Sequence, residues 1–360
     1  LAKQAILYFD WSRSSEGLTQ SRYPSRVPQF IPSWSLLWII MARDYFWHTG
    51  DAELIAVCLS GIKTCLAWFC GRQNKDGILE ALPHWQVVDW VKEWPGGIPP
   101  GAEGGISAVI NFQYAAALKA AAELCIQSGE TEQAEHYLKA ASKIISYLND
   151  NCWDQEKGCY HDRPGGEEVS ELTNAWAILA DASQGFRARQ VASLLVGKGQ
   201  AVAAKATLYG RFYLFRALRK AGGYEQAACL FDWWEQMAAT DLTTWPEEPS
   251  LGRSFCHAWS SSPLYEFLAE ILGIKPALPG YEEILIEPAV FPGLAWARGQ
   301  APTAKGLVQV AWEKKDGQFQ LRAQWPQGIR GTIILPSGKK QSLISAGHEV
   351  IFLEAEQNAE

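Results

Sequence analysis

Ile274-Lys275-Pro276-Ala277-Leu278-Pro279-Gly280 is the stretch at which one kind of sequence ends and another begins. Upstream, apolar residues recur with the spacing of amphipathic helices near 1–13, 33–48, 52–71, 105–128, 131–151, 168–182, 186–196, 206–221, 224–240 and 258–272. Start signals agree with that reading: Asp51 precedes the third segment, Ser107 opens the fourth, and Thr131 stands before an acidic first turn. Gly/Pro punctuation such as Arg163-Pro164-Gly165-Gly166 and Lys220-Ala221-Gly222-Gly223 separates helices. Downstream the pattern shortens to alternating runs: Ile284-Leu285-Ile286, Leu307-Val308-Gln309-Val310-Ala311-Trp312, an Asp316-Gly317 turn, Phe319-Gln320-Leu321-Arg322-Ala323 and Gly331-Thr332-Ile333-Ile334-Leu335. A helix buries a stripe and a strand buries a face, so helices followed by strands predict two layers of different kind. The chain therefore reads as mainly α, with a helical domain over 1–280 and a small β-sandwich over 281–360.

Composition narrows the function. Of 360 residues, 32 are Lys or Arg and 39 are Asp or Glu, a net charge of −7 with no basic block. That gives no electrostatic footing for nucleic acid, and neutral or weakly polar ligands are expected instead. The 17 Trp stand out beside 12 Tyr and 14 Phe; part of these is core, and flat aromatic faces are also what a protein lays against the C–H faces of sugar rings. Eight cysteines sit mostly inside apolar helical patterns, where a thiol acts as a small hydrophobe, and none has zinc spacing, so no metal or other cofactor is expected. Their pattern favours a reducing, cytoplasmic compartment. No run reaches the roughly 18 uninterrupted apolar residues of a membrane span, so no membrane partner is expected. Leu1 to Trp11 reads as a helix in mid-course, and the expectation is a fragment.

Two connections, 14–32 and 72–104, are longer than packed helices need, and loops of that size in a compact domain usually carry function. The first holds Arg22-Tyr23-Pro24. The second holds His84-Trp85, Val88-Asp89-Trp90 and Glu93-Trp94. A carboxylate fixed beside an indole can take two hydrogen bonds from vicinal sugar hydroxyls, although Asp89 could equally cap a turn. Trp85, Trp90 and Trp94 form either a stacking platform or core. The richest stretch is Thr243-Thr244-Trp245-Pro246-Glu247-Glu248-Pro249, followed by Arg253 and Cys256-His257-Ala258-Trp259. Its carboxylates beside tryptophan suit sugar hydrolysis, while an acidic helix start favoured by the macrodipole explains the same letters. His48 and His136 read as structural.

Taken in order, Glu16-Gly17-Leu18-Thr19-Gln20-Ser21-Arg22-Tyr23-Pro24-Ser25, Gln29-Phe30-Ile31-Pro32, Arg43-Asp44-Tyr45, Val88-Asp89-Trp90, Gly97-Ile98-Pro99-Pro100-Gly101, the Thr243–Glu247 run, Arg253 with Cys256-His257-Ala258-Trp259, and Gly273-Ile274 before Pro279-Gly280-Tyr281 resemble bacterial α-L-rhamnosidases of glycoside hydrolase family 78. The resemblance implies an (α/α)6 toroid, here with about ten of its twelve helices, and a C-terminal antiparallel β-sandwich. It implies inverting hydrolysis of terminal α-L-rhamnosyl groups, in which one carboxylic acid protonates the leaving oxygen and a carboxylate on the other face activates water. Glu247, in preference to Glu248, carries over as the general base. Asp89, Trp90, Trp94, Arg22, Arg253, His257 and Trp259 carry over as the residues around the sugar of a rhamnose-containing glycoside. The family's general acid belongs to an acidic segment ahead of the helix that opens this chain, so the 360 residues alone are expected to show little or no activity.

Two other readings compete. The toroid hosts several sugar chemistries, so another (α/α)6 glycosidase is the nearer rival, separable by substrate range. A non-catalytic helical scaffold or carbohydrate-binding fragment is the second, but loops of unequal length and no fixed period argue against it.

Overall fold

Helix α4 (Ala108–Gln127) is built from Ala, Val, Ile, Phe and Tyr and is buried nearly all round, whereas α5 (Thr131–Asn151) buries only Ala134, Tyr137, Ala141, Ile144 and Leu148, the i, i+3, i+7 stripe of one face. The two are joined through residues 128–130 and pack along each other, the first as a core helix and the second as its outer cover. The computed structural model describes residues 1–197, 202, 204–250, 253–343 and 350–355. Two compact units divide the chain, one holding Leu1–Asp44 and Ala52–Trp233, the other Tyr45–Asp51 and Trp234–Glu360.

The first unit contains α1 (Ala2–Trp11), most of α2 (Pro32–Thr49), α3 (Ala52–Cys70), α4, α5, α6 (Glu171–Leu179), α7 (Gly185–Leu195), α8 (Leu208–Ala221) and the 3-10 turns Tyr224–Phe231 that run into α9 (Asp232–Ala238). Each segment with helical periodicity contains a helix, and the ends move for identifiable reasons. Helix α4 starts at 108, where Ser107 is still extended and the Ala108 N–H donates to the Asp162 carbonyl, and α6 starts at 171 because the Ser170 hydroxyl accepts from the Thr173 N–H. Helix α8 ends where Gly222 turns left-handed at φ 77°. By length and composition α3 is apolar enough to cross a membrane, with mean hydropathy 1.6, but it packs here as a core helix with Ile55, Cys58, Ile62, Cys65 and Phe69 on its buried side. A short hairpin that periodicity does not show, β1 (Trp153–Asp154) and β2 (Cys159–Tyr160), turns on Asp154, whose Oδ1 accepts from the Glu156 and Lys157 N–H groups.

In the second unit the last helical segment breaks into Ala258–Ser261, Pro263–Tyr265 and a π-helical Glu266–Ile271. The strands follow: β3 (Ile274–Pro276), β4 (Glu283–Ile286), β5 (Trp296–Thr303), β6 (Gly306–Lys315), β7 (Gln318–Gln324), β8 (Arg330–Ile334), β9 (Lys340–Leu343) and β10 (Val350–Ala355). They form two four-stranded sheets, ordered β10-β7-β6-β5 and β3-β4-β8-β9. The first is antiparallel throughout. The second is antiparallel at β3-β4 and β8-β9, and β4 pairs parallel with β8 because the connection between them passes through the other sheet. Val308, Val310, Trp312, Phe319, Leu321, Ile284, Ile286 and Ile333 are buried, and the Trp312 indole donates to the Ile271 carbonyl at 2.8 Å.

Candidate active site

Two main-chain bonds fold the 244–259 segment of the second unit onto itself: the Glu247 N–H donates to the Ser254 carbonyl and the His257 N–H to the Trp245 carbonyl, both at 2.8 Å. The Thr244 hydroxyl adds a bond to the Phe255 carbonyl. This brings together side chains that are ten and twelve residues apart in sequence. Glu247 is buried at 8% exposure, and its Oε2 accepts from Arg253 Nε at 3.0 Å. His257 Nδ1 stands 3.9 Å from the same oxygen, beyond hydrogen-bond length but within charge range. The Trp259 indole donates to the Glu247 carbonyl at 3.3 Å, and its ring lies 4.0 Å, centre to centre, from the His257 ring. The neighbouring Glu248 is half-exposed and makes none of these contacts. The product is a buried carboxylate fixed by one oxygen, with an imidazole and an indole beside it.

In the first unit the long 72–107 connection is closed by a bond from the Val88 N–H to the Gly97 carbonyl at 2.9 Å. Gly97, at φ 74°, is required there, because a Cβ would stand 2.6 Å from Val87 Cγ2 and 3.0 Å from the Asp89 carbonyl. The Ser33 hydroxyl, on α2, holds the Val87 carbonyl at 2.7 Å. Asp89 is 2% exposed, and its oxygens are engaged: Oδ2 accepts from the Thr207 N–H at 2.9 Å, and Oδ1 accepts from the Thr207 hydroxyl and from the Trp90 N–H. Burial pushes the Asp89 carboxyl up to about 6, against the opposing pull of the Thr207 and Trp90 bonds. In this structure Asp89 ties the loop to the start of α8, with both oxygens hydrogen-bonded. Trp90 beside it is 37% exposed and meets Trp85 edge to face at 5.5 Å. Trp94, at 4% exposure, is mostly enclosed and contributes to the wall of a groove of about 780 Å³ with Glu80, Glu93, Pro95 and Arg163. Arg22 is exposed on the 14–32 connection and, among the described residues, is in no ion pair.

The expected site residues thus fall into two sets in different units: Glu247, Arg253, His257 and Trp259 are gathered in one, and Arg22, Asp89, Trp90 and Trp94 belong to the other. Sequence reading missed Thr207, Gly210 and Glu171. Glu171 accepts from the Ala206 N–H at 2.8 Å, so two acids, the half-buried Glu171 and the buried Asp89, hold consecutive amides at the start of α8. Burial raises the Glu171 carboxyl, and the Asp89 charge adds to the rise. A Thr ahead of an apolar helix is a visible N-cap signal, but its partner 118 residues away is not. Among the described residues no three His, Cys, Asp or Glu side chains are grouped closely enough to hold a metal.

The helices followed by paired β-sheets are those of a six-hairpin glycosidase. Residues 8–272 match the bacterial α-L-rhamnosidase six-hairpin glycosidase domain and 273–349 match the bacterial α-L-rhamnosidase C-terminal domain, so the chain belongs to the bacterial α-L-rhamnosidase family. An α-L-rhamnosidase of Alteromonas sp. (strain LOR) is 20% identical over 92% of this chain, which spans 39% of that protein. The glycoside hydrolase family 78 rhamnosidase of Bacillus sp. GL1 superposes with a TM-score of 0.82 at 26% identity, covering 94% of this chain and 36% of its own. A Streptomyces avermitilis α-L-rhamnosidase complexed with L-rhamnose superposes at 0.74 with 16% identity, covering 91% of this chain and 32% of its own. The chain therefore spans between about a third and two fifths of the length of these relatives.

Proposed function

We propose that the protein carrying this chain hydrolyses terminal α-L-rhamnosyl groups from glycosides with inversion, and that Glu247 is its general base. The observation that carries the reading is the Glu247 carboxylate itself, buried, with Arg253 on Oε2 and His257 and Trp259 alongside. Anchoring one oxygen fixes the direction of the other, which is what a base needs to take a proton from water as that water attacks an anomeric carbon. His257 and Arg253 have N–H groups for sugar hydroxyls. Trp259 supplies an apolar wall beside the carboxylate, which suits a deoxysugar whose methyl group has no hydroxyl to satisfy. Asp89 enters as a positioning residue that sets the Trp90 loop. Family membership and the L-rhamnose complex of the Streptomyces avermitilis relative support the choice of sugar.

Proton NMR of nitrophenyl α-L-rhamnoside hydrolysis by the full-length protein tests both parts of this reading. Inversion releases β-L-rhamnose first, with the α anomer appearing only by mutarotation. Glu247→Gln should lower kcat by about 10³-fold, within the range for loss of a general base, while leaving KM within a few-fold. First release of the α anomer would refute inversion, and a Glu247→Gln protein with wild-type kcat would remove the base from this residue.

A further inference from the structure

The register of the β10-β7-β6-β5 sheet assembles an outward face that the proposed hydrolysis does not use. Side chains alternate along each strand, so residues paired across the sheet share a face. One cross-strand row runs Arg298, Ala311, Arg322 and Ile351. The row beside it runs Trp296, Glu313, Gln320 and Leu353, and the row on the other side runs Gln300, Gln309 and Gln324. Their strand neighbours Val308, Val310, Trp312, Phe319, Leu321 and Ala323 are buried, so these rows are the opposite face, with Trp296 at 58% exposure. Ala311, on the inner strand β6, leaves a shallow trough between Arg298 and Arg322. The Arg298 guanidinium lies 5.5 Å from the Trp296 ring centre.

We propose that this face is a second binding site, for a polysaccharide chain that carries carboxylates, lying along the rows and across the strands. Adjacent strands are about 4.8 Å apart, a pitch close to the length of one pyranose ring, so each strand can offer its side chains to a successive sugar. Glutamine amides donate and accept at once, as vicinal hydroxyls require, and Trp296 gives a flat face for a ring's C–H side. Charge selects the class of chain. The three rows hold two arginines against a single acid, Glu313, on a protein of net charge −7. A polyanion is repelled by the molecule at large and drawn to this trough, where a guanidinium fork matches a carboxylate.

Affinity electrophoresis of the protein through native gels containing polygalacturonate, dextran or polyuridylic acid tests the assignment. Polygalacturonate has no rhamnosyl linkage, so the outcome is independent of the hydrolytic reading, and Glu247→Gln is expected to migrate as wild type does. The expected result is retardation by polygalacturonate at least tenfold stronger than by dextran or polyuridylic acid. Arg298→Gln with Arg322→Gln should abolish it, and Trp296→Ala alone should weaken it several-fold, with unfolding midpoints unchanged because all three side chains are exposed. Equal retardation by dextran would overturn the charged class of ligand, and equal retardation by polyuridylic acid would reduce the face to a general polyanion patch. Retardation that survives the arginine and tryptophan substitutions would remove the site from this sheet.

Discussion

Two acids beside tryptophans, Asp89 and Glu247, look alike in the sequence and differ in what surrounds them. Glu247 meets groups within twelve residues of itself, so its neighbourhood was legible from the Thr243–Trp259 run. Asp89 meets Thr207, and no spacing rule connects positions that far apart. The consequence is a pH dependence that belongs to this one residue. Burial lifts the Asp89 carboxyl from 3.8 to about 6, so between those values the folded chain keeps a proton that the unfolded chain has lost. Stability contributed by this group is therefore greatest below about pH 4, falls as pH rises, and levels off above about 6, a change of about 3 kcal/mol. Asp162, whose carboxyl burial also lifts to about 6, acts in the same window, so the comparison must be between wild type and Asp89→Asn. Urea unfolding at pH 4.5 and 6.5 should show a drop in wild-type stability that is smaller by about 2 kcal/mol in the variant. An equal drop in both would mean that Asp89 is not a protonatable buried group.

Elements were more legible than their pairings. Helical periodicity located every helix from α1 to α9, because a stripe of buried residues is a local property of the sequence, and caps such as Ser170 and Gly222 explain the ends. Strand β5, Trp296-Ala297-Arg298-Gly299-Gln300-Ala301-Pro302-Thr303, was not legible, since Gly and Pro interrupt its alternation and its core side is filled by the small Ala297, Gly299 and Ala301. Gly210 shows what an element-level reading misses in the other direction. By helix propensity, alanine at this position in α8 should stabilise by about 1 kcal/mol. The Cβ, however, would stand 2.6 Å from Asp89 Oδ2, 2.8 Å from Ala206 Cβ and 3.1 Å from Leu172 Cδ2. The carboxylate would have to leave Thr207, so overpacking and the lost bonds outweigh propensity. Gly210→Ala should lower stability by about 2 kcal/mol in urea unfolding, and a stabilised variant would show that Asp89 does not approach α8 this closely.

At the scale of the whole molecule, the sequence's aromatic excess and absence of a basic block pointed to sugars, and the order of helices before strands pointed to the family's two domain types. The eight cysteines, read as small hydrophobes, give a measurement of how the molecule opens. All are free thiols: Cys58, Cys65, Cys125, Cys152 and Cys159 are buried, and Cys70, Cys229 and Cys256 are exposed. Burial pushes the Cys65 and Cys152 thiols up to about 12 and those of Cys125 and Cys159 up to about 11, so they are poor nucleophiles as well as inaccessible. All five buried thiols lie in the unit formed by Leu1–Asp44 and Ala52–Trp233, whereas Trp312, packed beneath β6, lies in the other. Titration with an aromatic disulfide should modify three thiols quickly in the native protein and eight in denaturant. Through the urea transition, release of the five slow thiols follows the helical unit alone, and the near-ultraviolet dichroism lost on Trp312→Phe follows the strands. Coincident curves would mean that the two units unfold as one cooperative block, and separate curves would assign each its own stability. More than three fast thiols in the native protein would contradict the packing of α3, α4 and the β1–β2 hairpin, because those elements hold all five buried sulfurs or lie next to them in the chain.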